Sequence, residues 1–229
     1  YRFPEIAQST AKILNKMRVS FCTLGTSEWC CGNPLLSTGQ YQLAREMARH
    51  NLEEIKKMNA KQVVTSCPGC YKTLKHDYPK LLGLDRSPFD VVHIAQLFDR
   101  LLSKGKTAFK EMSKEVLTYH DPCELGRLSG VYEQPRRLIK QIPGMRLVEM
   151  ERNRENAWCC GGGGGVKTVY PDQSSKVGLV RLKEAESSGA TTIVSSCPTC
   201  KWNLSDALGL AGSRLKIVDL SELVYSALK

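Results

Sequence analysis

The feature that most constrains this chain is that it is written twice. Trp29-Cys30-Cys31-Gly32 returns as Trp158-Cys159-Cys160-Gly161 at an offset of 129 residues. "VVTSCPGC" (63–70) returns as "IVSSCPTC" (193–200) at an offset of 130. "VVHIAQLF" (91–98) matches "IVDLSELV" (217–224) at 126, and "MRVSF" (17–21) matches "MRLVEM" (145–150) at 128. Near-constant offsets over four segments mark a tandem repeat, so the fold has to be buildable from two copies of one unit. Residues 1–112 are expected to form the first lobe and 113–229 the second, each of about 110 residues.

Each copy alternates strand and helix. In the first, residues 4–17 read as a helix with Ile6, Ile13, Leu14 and Met17 on one face. A strand at 18–24 leads into the CC loop. A helix over 39–58 follows, with Leu43, Met47, Leu52 and Ile55 as its apolar stripe. Strand 61–66, a helix carrying Tyr71 and Leu74, strand 90–94 and helix 95–103 close the copy. The second copy reads as strand 115–120, helix 134–142, strand 145–150, helix 172–188, strand 191–196, helix 198–208, strand 215–219 and helix 221–228. Strands separated by helices of this length predict parallel βαβ units. The expected class is therefore α/β, with two pseudo-symmetric lobes built on parallel sheets. In such sheets ligands gather at the carboxyl ends of the strands, and that is where most of the cysteines fall.

Ten cysteines are present, and their grouping into CC and CxxC clusters within a long α/β pattern points to metal or redox work in a reducing compartment. Adjacent cysteines are poor partners for an ordinary disulfide. The second copy offers five thiols: Cys123, Cys159, Cys160, Cys197 and Cys200. Closed zinc needs four ligands, whereas iron–sulfur clusters draw on several thiolates. The first copy offers four: Cys30, Cys31, Cys67 and Cys70. The second and third cysteines of the CC…CxxC sets stand 36 and 37 residues apart. Pro68 and Pro198 suit the first turn of a helix, whose N-terminus favours thiolate at Cys67 and Cys197. Gly32 and Gly161–Gly165 permit close backbone approach and leave N–H groups free to donate.

The strings "YHDPC-LGR", "WCCGGGGG", "EWCCGNPLL-TGQ" and "CP-C--NL" resemble the CCG (cysteine-rich) domain family over essentially the whole chain. Its members include the catalytic subunits of heterodisulfide reductase, and the D-type subunits are the most similar. The resemblance implies a non-cubane [4Fe–4S] cluster for each complete five-cysteine motif. It further implies a disulfide that is reduced, or two thiols that are oxidised, between the clusters. Carried over by position, the second cluster is held by Cys123, Cys159, Cys160, Cys197 and Cys200, and the first by Cys30, Cys31, Cys67 and Cys70. The first copy's leading cysteine would fall ahead of Tyr1, so that site holds a cluster or zinc, or stays empty. The opening "YRFPEIAQ" reads as the interior of a folded element, and the true N-terminus is expected upstream. Where the family has histidine after the DPC cysteine, this chain has Glu124.

Expected partners are a ferredoxin-type iron–sulfur domain or subunit, a flavoprotein or membrane quinone/haem subunit, and an anionic disulfide or thiol substrate. The formal net charge of +10 suits such partners, or is simply a solvated basic surface. Nucleic acid is not expected, because Lys56 and Lys57 or Arg136 and Arg137 lie scattered on helix faces rather than in a stripe. Without a run of roughly 20 apolar residues, the expected location is cytoplasmic, or peripheral on a membrane's inner face through partner subunits. Three alternatives stand beside this reading: an electron-transfer subunit without disulfide chemistry, a metal-free CxxC exchanger, and a zinc scaffold. His120 and Glu124 are the side chains nearest to a proton-transfer role, although a backbone hydrogen bond is an equally natural use of His120. Asp121 reads as a turn cap, Cys22 as a small buried hydrophobe within its strand, and Trp29 and Trp158 as packing that shields the clusters. His50, His76 and His93 read as structural.

Overall fold

In a computed structural model that describes residues 2–103 and 109–229, the two copies each contribute a parallel sheet. The first copy runs α1 (Pro4–Lys16), α2 (Asn33–Ser37), α3 (Tyr41–Lys57), β1 (Gln62–Thr65) and α4 (Pro68–Lys72). A π-helical turn over Thr73–Asp77 then leads into α5 (Tyr78–Leu82), β2 (Asp90–His93) and α6 (Ile94–Leu102). The second runs β3 (Glu115–His120), α7 (Glu133–Lys140), β4 (Met145–Val148), α8 (Val166–Val169), α9 (Pro171–Ser187) and β5 (Thr192–Ser195). It ends with α10 (Pro198–Ala211), β6 (Lys216–Asp219) and α11 (Leu220–Ala227).

β1 and β2 pair in parallel from Gln62↔Asp90 to Thr65↔His93. The second sheet has the order β4-β3-β5-β6, again parallel throughout. The pair β1-β2 is thus the counterpart of β5-β6. The expected α/β class with parallel sheets in two lobes is what the chain adopts. Local chemistry repeats as well. His93 and Gln96 form a capping box at the start of α6, and Asp219 and Glu222 form its counterpart at α11.

The strand expected at 18–24 is not formed: those residues are irregular and end in a short 3-10 turn at Gly25–Ser27. In the second sheet the corresponding strand, β4, pairs only with β3. Cys22, within this irregular segment, is exposed rather than buried. On α3 the buried face is Ala44, Ala48, Asn51, Leu52 and Ile55, and Leu43 of the expected stripe is exposed. The face is rotated because the CC loop packs on it: a Cβ on Gly32 would meet Ala44 at 3.6 Å.

One apolar core joins the copies. It contains Ile13 and Leu14 of α1, Phe98 of α6, Leu138 and Ile139 of α7, and Leu220 and Val224 of α11, above Leu117 and Val194 of the second sheet. Arg136, expected on a helix face, is instead fully buried. Its guanidinium donates to both oxygens of Asp121 at 2.7 and 2.8 Å and to both of Glu149 at 2.8 and 2.9 Å. Asp121 therefore serves this ion pair and accepts from the Arg154 N–H at 2.8 Å, rather than capping the following turn.

Breaking a buried pair strands the remaining charges, which costs about 3–5 kcal/mol. Arg136→Ala is expected to lower the unfolding free energy by that amount. Arg137→Ala, at a half-exposed guanidinium paired with Asp99, is expected to cost no more than about 1 kcal/mol. Urea unfolding followed by circular dichroism checks both, and equal losses would contradict the assignment.

Candidate metal centres

The carboxyl ends of β3 and β5 aim their following residues at one spot. Cys123 comes just after β3, Cys197 just after β5, and the loop beyond β4 brings Cys159 and Cys160. The five thiols come close enough to shift one another's acidity: Cys123 and Cys160 act on Cys159, and Cys160 and Cys197 on Cys200. The donated protons push the Cys159 thiol down to about 2. Cys123 and Cys160 are pushed up as donors to it, and Cys200 is pushed well up by its contacts with Cys160 and Cys197. A lowered thiol beside raised ones is what several sulfurs sharing few protons produce.

The first copy repeats the arrangement with four. Cys31 accepts from Cys30 and Cys70, which lowers it to about 3, while Cys30 is raised by donating. Cys67 is lowered by a hydrogen bond from Cys70 and by the N–H groups of Cys70 and Gly69 at the start of α4. Pro68 and Pro198 do occupy the first helical turn. All nine cysteines singled out by spacing are therefore gathered into two groups, and Cys22 joins neither.

Backbone N–H groups point at sulfur in both loops. Gly32 N–H donates to Cys30 Sγ at 3.5 Å, Gly161 to Cys159 Sγ at 3.2 Å and Gly162 to Cys160 Sγ at 3.4 Å. Gly161 has φ +88°, and a Cβ there would meet Ser174 O at 2.7 Å and Val177 Cβ at 2.8 Å. The tightness is specific, because Gly163 has no neighbour within 4 Å of an added Cβ.

Three polar side chains that spacing did not single out hold the loops. Asn51 Nδ2 donates to Cys30 O at 3.0 Å, and its Oδ1 accepts from Trp29 N–H at 3.2 Å. Asn203 Nδ2 donates to Cys160 O and to Ser174 O, and its Oδ1 accepts from Lys167 Nζ at 2.7 Å. Arg181, fully buried in α9, donates from Nε to His120 Nδ1 at 3.1 Å and from Nη1 to Glu184 at 2.6 Å. A polar residue on the buried face of an otherwise apolar helix was the available signal. It was masked by reading the face from apolar residues alone.

His120 thus bonds to a side chain rather than to backbone. A ring nitrogen of His120 and the sulfurs of Cys160 and Cys200 lie within 4.8 Å of one another. Burial lowers His120 to about 3, so its ring is neutral. Glu124 crosses to the first copy, where Asn33 Nδ2 donates to its Oε1 at 2.8 Å, and burial raises its carboxyl. Trp29 and Trp158 are 48% and 42% exposed, so they do not seal the sites as expected. Trp29 stacks on His50 at 3.8 Å, and Arg152 lies 3.9 Å above Trp158. His93, by contrast, is structural as read: it caps α6.

A soft, anionic metal group suits this donor set. The ligands offered are thiols, Gly N–H groups face them, and the buried Arg181 Nη2 has no protein partner among the described residues. No described helix is long and apolar enough to cross a membrane.

Comparison with known proteins agrees with this chemistry. A family profile described as "Cysteine-rich domain", CCG, matches residues 1–75 and 117–205. The D-type subunit of the dihydromethanophenazine:CoB–CoM heterodisulfide reductase from Methanosarcina barkeri is 43% identical over 97% of this chain and 55% of its own length. A probable iron-sulfur-binding oxidoreductase of Bacillus subtilis, FadF, is 36% identical over 97% of this chain and 31% of its own. An EtfAB:quinone oxidoreductase of Syntrophomonas wolfei is 31% identical over 100% and 32%. The chain spans about half the length of the heterodisulfide reductase subunits it matches.

Strain and sulfur acidity give two expected outcomes. Gly161→Ala should cost more than about 1 kcal/mol and Gly163→Ala less than about 0.5, measured by thermal unfolding. In metal-free chain at pH 5, iodoacetamide should label Cys159 ahead of Cys123 and Cys160, because only the thiolate reacts. Peptide mapping by mass spectrometry reads the order, and uniform labelling would contradict it.

Proposed function

This chain belongs to the cysteine-rich (CCG) domain family, and on that premise we propose that it is the thiolate-bearing part of an iron–sulfur oxidoreductase subunit. It acts on a disulfide, reducing it, or on two thiols, oxidising them. The single observation that carries this reading is the convergence of five cysteines, from the ends of β3 and β5 and the loop beyond β4, close enough to shift one another's acidity. Structural zinc is saturated by four.

Cys123, Cys159, Cys160, Cys197 and Cys200 hold the second group, and Cys30, Cys31, Cys67 and Cys70 the first. When bound, a non-cubane [4Fe–4S] group supplies reversible one-electron chemistry and iron sites open to sulfur ligands. The chain's own part is to hold the thiols converged and to keep the backbone close. The Gly32, Gly161 and Gly162 N–H groups stabilise thiolate at Cys30, Cys159 and Cys160. Glu124 bridges the copies through Asn33, and its raised carboxyl can carry a proton at Oε2 where the two sites approach. That position is suited to thiol and disulfide chemistry, which exchanges protons as well as electrons. The division at 112/113 follows the repeat, with electrons supplied by a ferredoxin-type partner.

Sulfur specificity is supported by the heterodisulfide reductase subunits among the relatives. A second reading, relay of electrons without disulfide chemistry, is favoured by the half-exposed Trp29 and Trp158 beside the sites, since an open rim suits a docking partner. A relative named as an EtfAB:quinone oxidoreductase points the same way.

Anaerobic purification with iron and acid-labile sulfide analysis tests the assignment. About eight irons with matching sulfide are expected for two occupied sites, and about four if only the five-thiol site fills. Stoichiometric zinc without sulfide would overturn it. Thiol release from a disulfide by the reduced protein then separates the first reading from the second.

A further inference from the structure

The two metal centres are not electrostatic copies of one another. Helices α3 and α9 are equal in length and superimpose at an offset of 130, from Tyr41↔Pro171 to Lys57↔Ser187. Their buried positions correspond one for one: Ala44, Ala48, Asn51, Leu52 and Ile55 against Ser174, Gly178, Arg181, Leu182 and Ala185. The pair Asn51/Arg181 is where they differ in charge. A neutral amide holds the first CC loop, and a guanidinium stands at the same place beside the second.

Arg181 is 1% exposed. Its Nε donates to His120 Nδ1, its Nη1 to Arg152 O at 2.8 Å and to Glu184 Oε2, and its Nη2 is buried without a protein partner. Because Nδ1 accepts, the His120 proton resides on Nε2, and the ring joins the Cys160 and Cys200 sulfurs within 4.8 Å. The guanidinium is thus one imidazole away from the thiols. Glu184 pairs with Nη1 and offsets part of this charge, whereas its counterpart Glu54 turns to the surface Lys57. The Nε edge faces His120 and Nη2 has no protein partner among the described residues, so the buried cation is what the second centre has and the first lacks.

A positive charge fixed in a low-dielectric surrounding favours the more negative state of a neighbouring group. We propose that Arg181, acting through His120, raises the reduction potential of the second centre above that of the first, so that an electron added to the chain rests beside Cys159, Cys160 and Cys200. Arg181 is a positioning and potential-setting residue, not one that touches substrate. This rests on the iron–sulfur assignment above. It adds an order of filling that neither the repeat nor the family resemblance contains. No bond is made or broken: the external one-electron reductant is oxidised and the second centre is reduced.

The test is a dithionite redox titration of the iron-loaded full chain, followed by visible absorbance and electron paramagnetic resonance. The second-centre signal is identified as the one that a Cys197→Ala, Cys200→Ala chain lacks. Arg181→Gln retains hydrogen-bonding capacity and removes the charge. It is expected to lower the second centre's reduction equilibrium constant at least tenfold, about 59 mV for a one-electron couple, and to leave any first-centre signal in place. Arg181→Lys is expected to restore at least half of that shift. An unmoved midpoint in the iron-replete Arg181→Gln chain, or equal shifts in the Gln and Lys chains, would overturn the proposal. Should Arg181→Gln shed second-centre iron, retention by Arg181→Lys supports the role of charge, and loss from both overturns it. An iron-free wild-type chain would instead sink the cofactor assignment itself, which keeps the two failures apart.

Discussion

Everything in this molecule answers to the crowding of thiols. Five thiols cannot be brought to one spot without backbone arriving from several directions at once, and a parallel sheet supplies those directions at one edge. β3 and β5 end side by side, and the loop beyond β4 folds over them, so Cys123, Cys159, Cys160, Cys197 and Cys200 meet without any long-range search by side chains. The helices that follow add N–H groups to the same edge. Gly161 lets its loop come within contact of Ser174 and Val177 of α9, and Gly178 lets α9 approach Asn203 and Ala207 of α10.

Crowding has an electrostatic consequence. Closely packed sulfurs cannot each keep an ordinary acidity, so Cys31 and Cys67 in the first centre and Cys159 in the second are lowered while neighbours such as Cys30, Cys70, Cys123 and Cys160 are raised. Such a set is poorly satisfied by itself and well satisfied by a cation-bearing inorganic group. The surrounding polar residues are arranged to the same end. Asn51 and Asn203 hold the CC backbones, and Arg136 anchors Asp121 two residues before Cys123. Arg181 brings a charge to one centre that the other lacks.

Much of this was legible in the sequence. The offsets of 129 and 130 revealed the two copies, and the CC and CxxC spacing picked out eight cysteines that, with Cys123, the fold gathers into two groups. Helix and strand alternation gave the parallel α/β class. The failures are equally instructive. Residues 18–24 suit a strand but pair with none among the described residues, and pairing is a property of two segments. Leu43 fits an apolar stripe, yet the CC loop demanded the small-residue face of α3. Arg136 and Asp121 looked like surface and turn residues until the fold brought Glu149 alongside.

What the sequence determined by itself was local and periodic: the repeat, the element order, the helix-starting prolines after Cys67 and Cys197, and the cysteines that the fold gathers. Those follow from nearest-neighbour chemistry and from spacing along one chain. What only the tertiary structure decided was which groups face one another. The burial of Arg181 against His120, the reach of Glu124 to Asn33, and the inequality of two centres built from one motif all belong to it. The reason is that charge and hydrogen bonding act through space. Residues 61 positions apart, as Arg181 and His120 are, acquire a relationship only once the backbone has brought them within 3.1 Å.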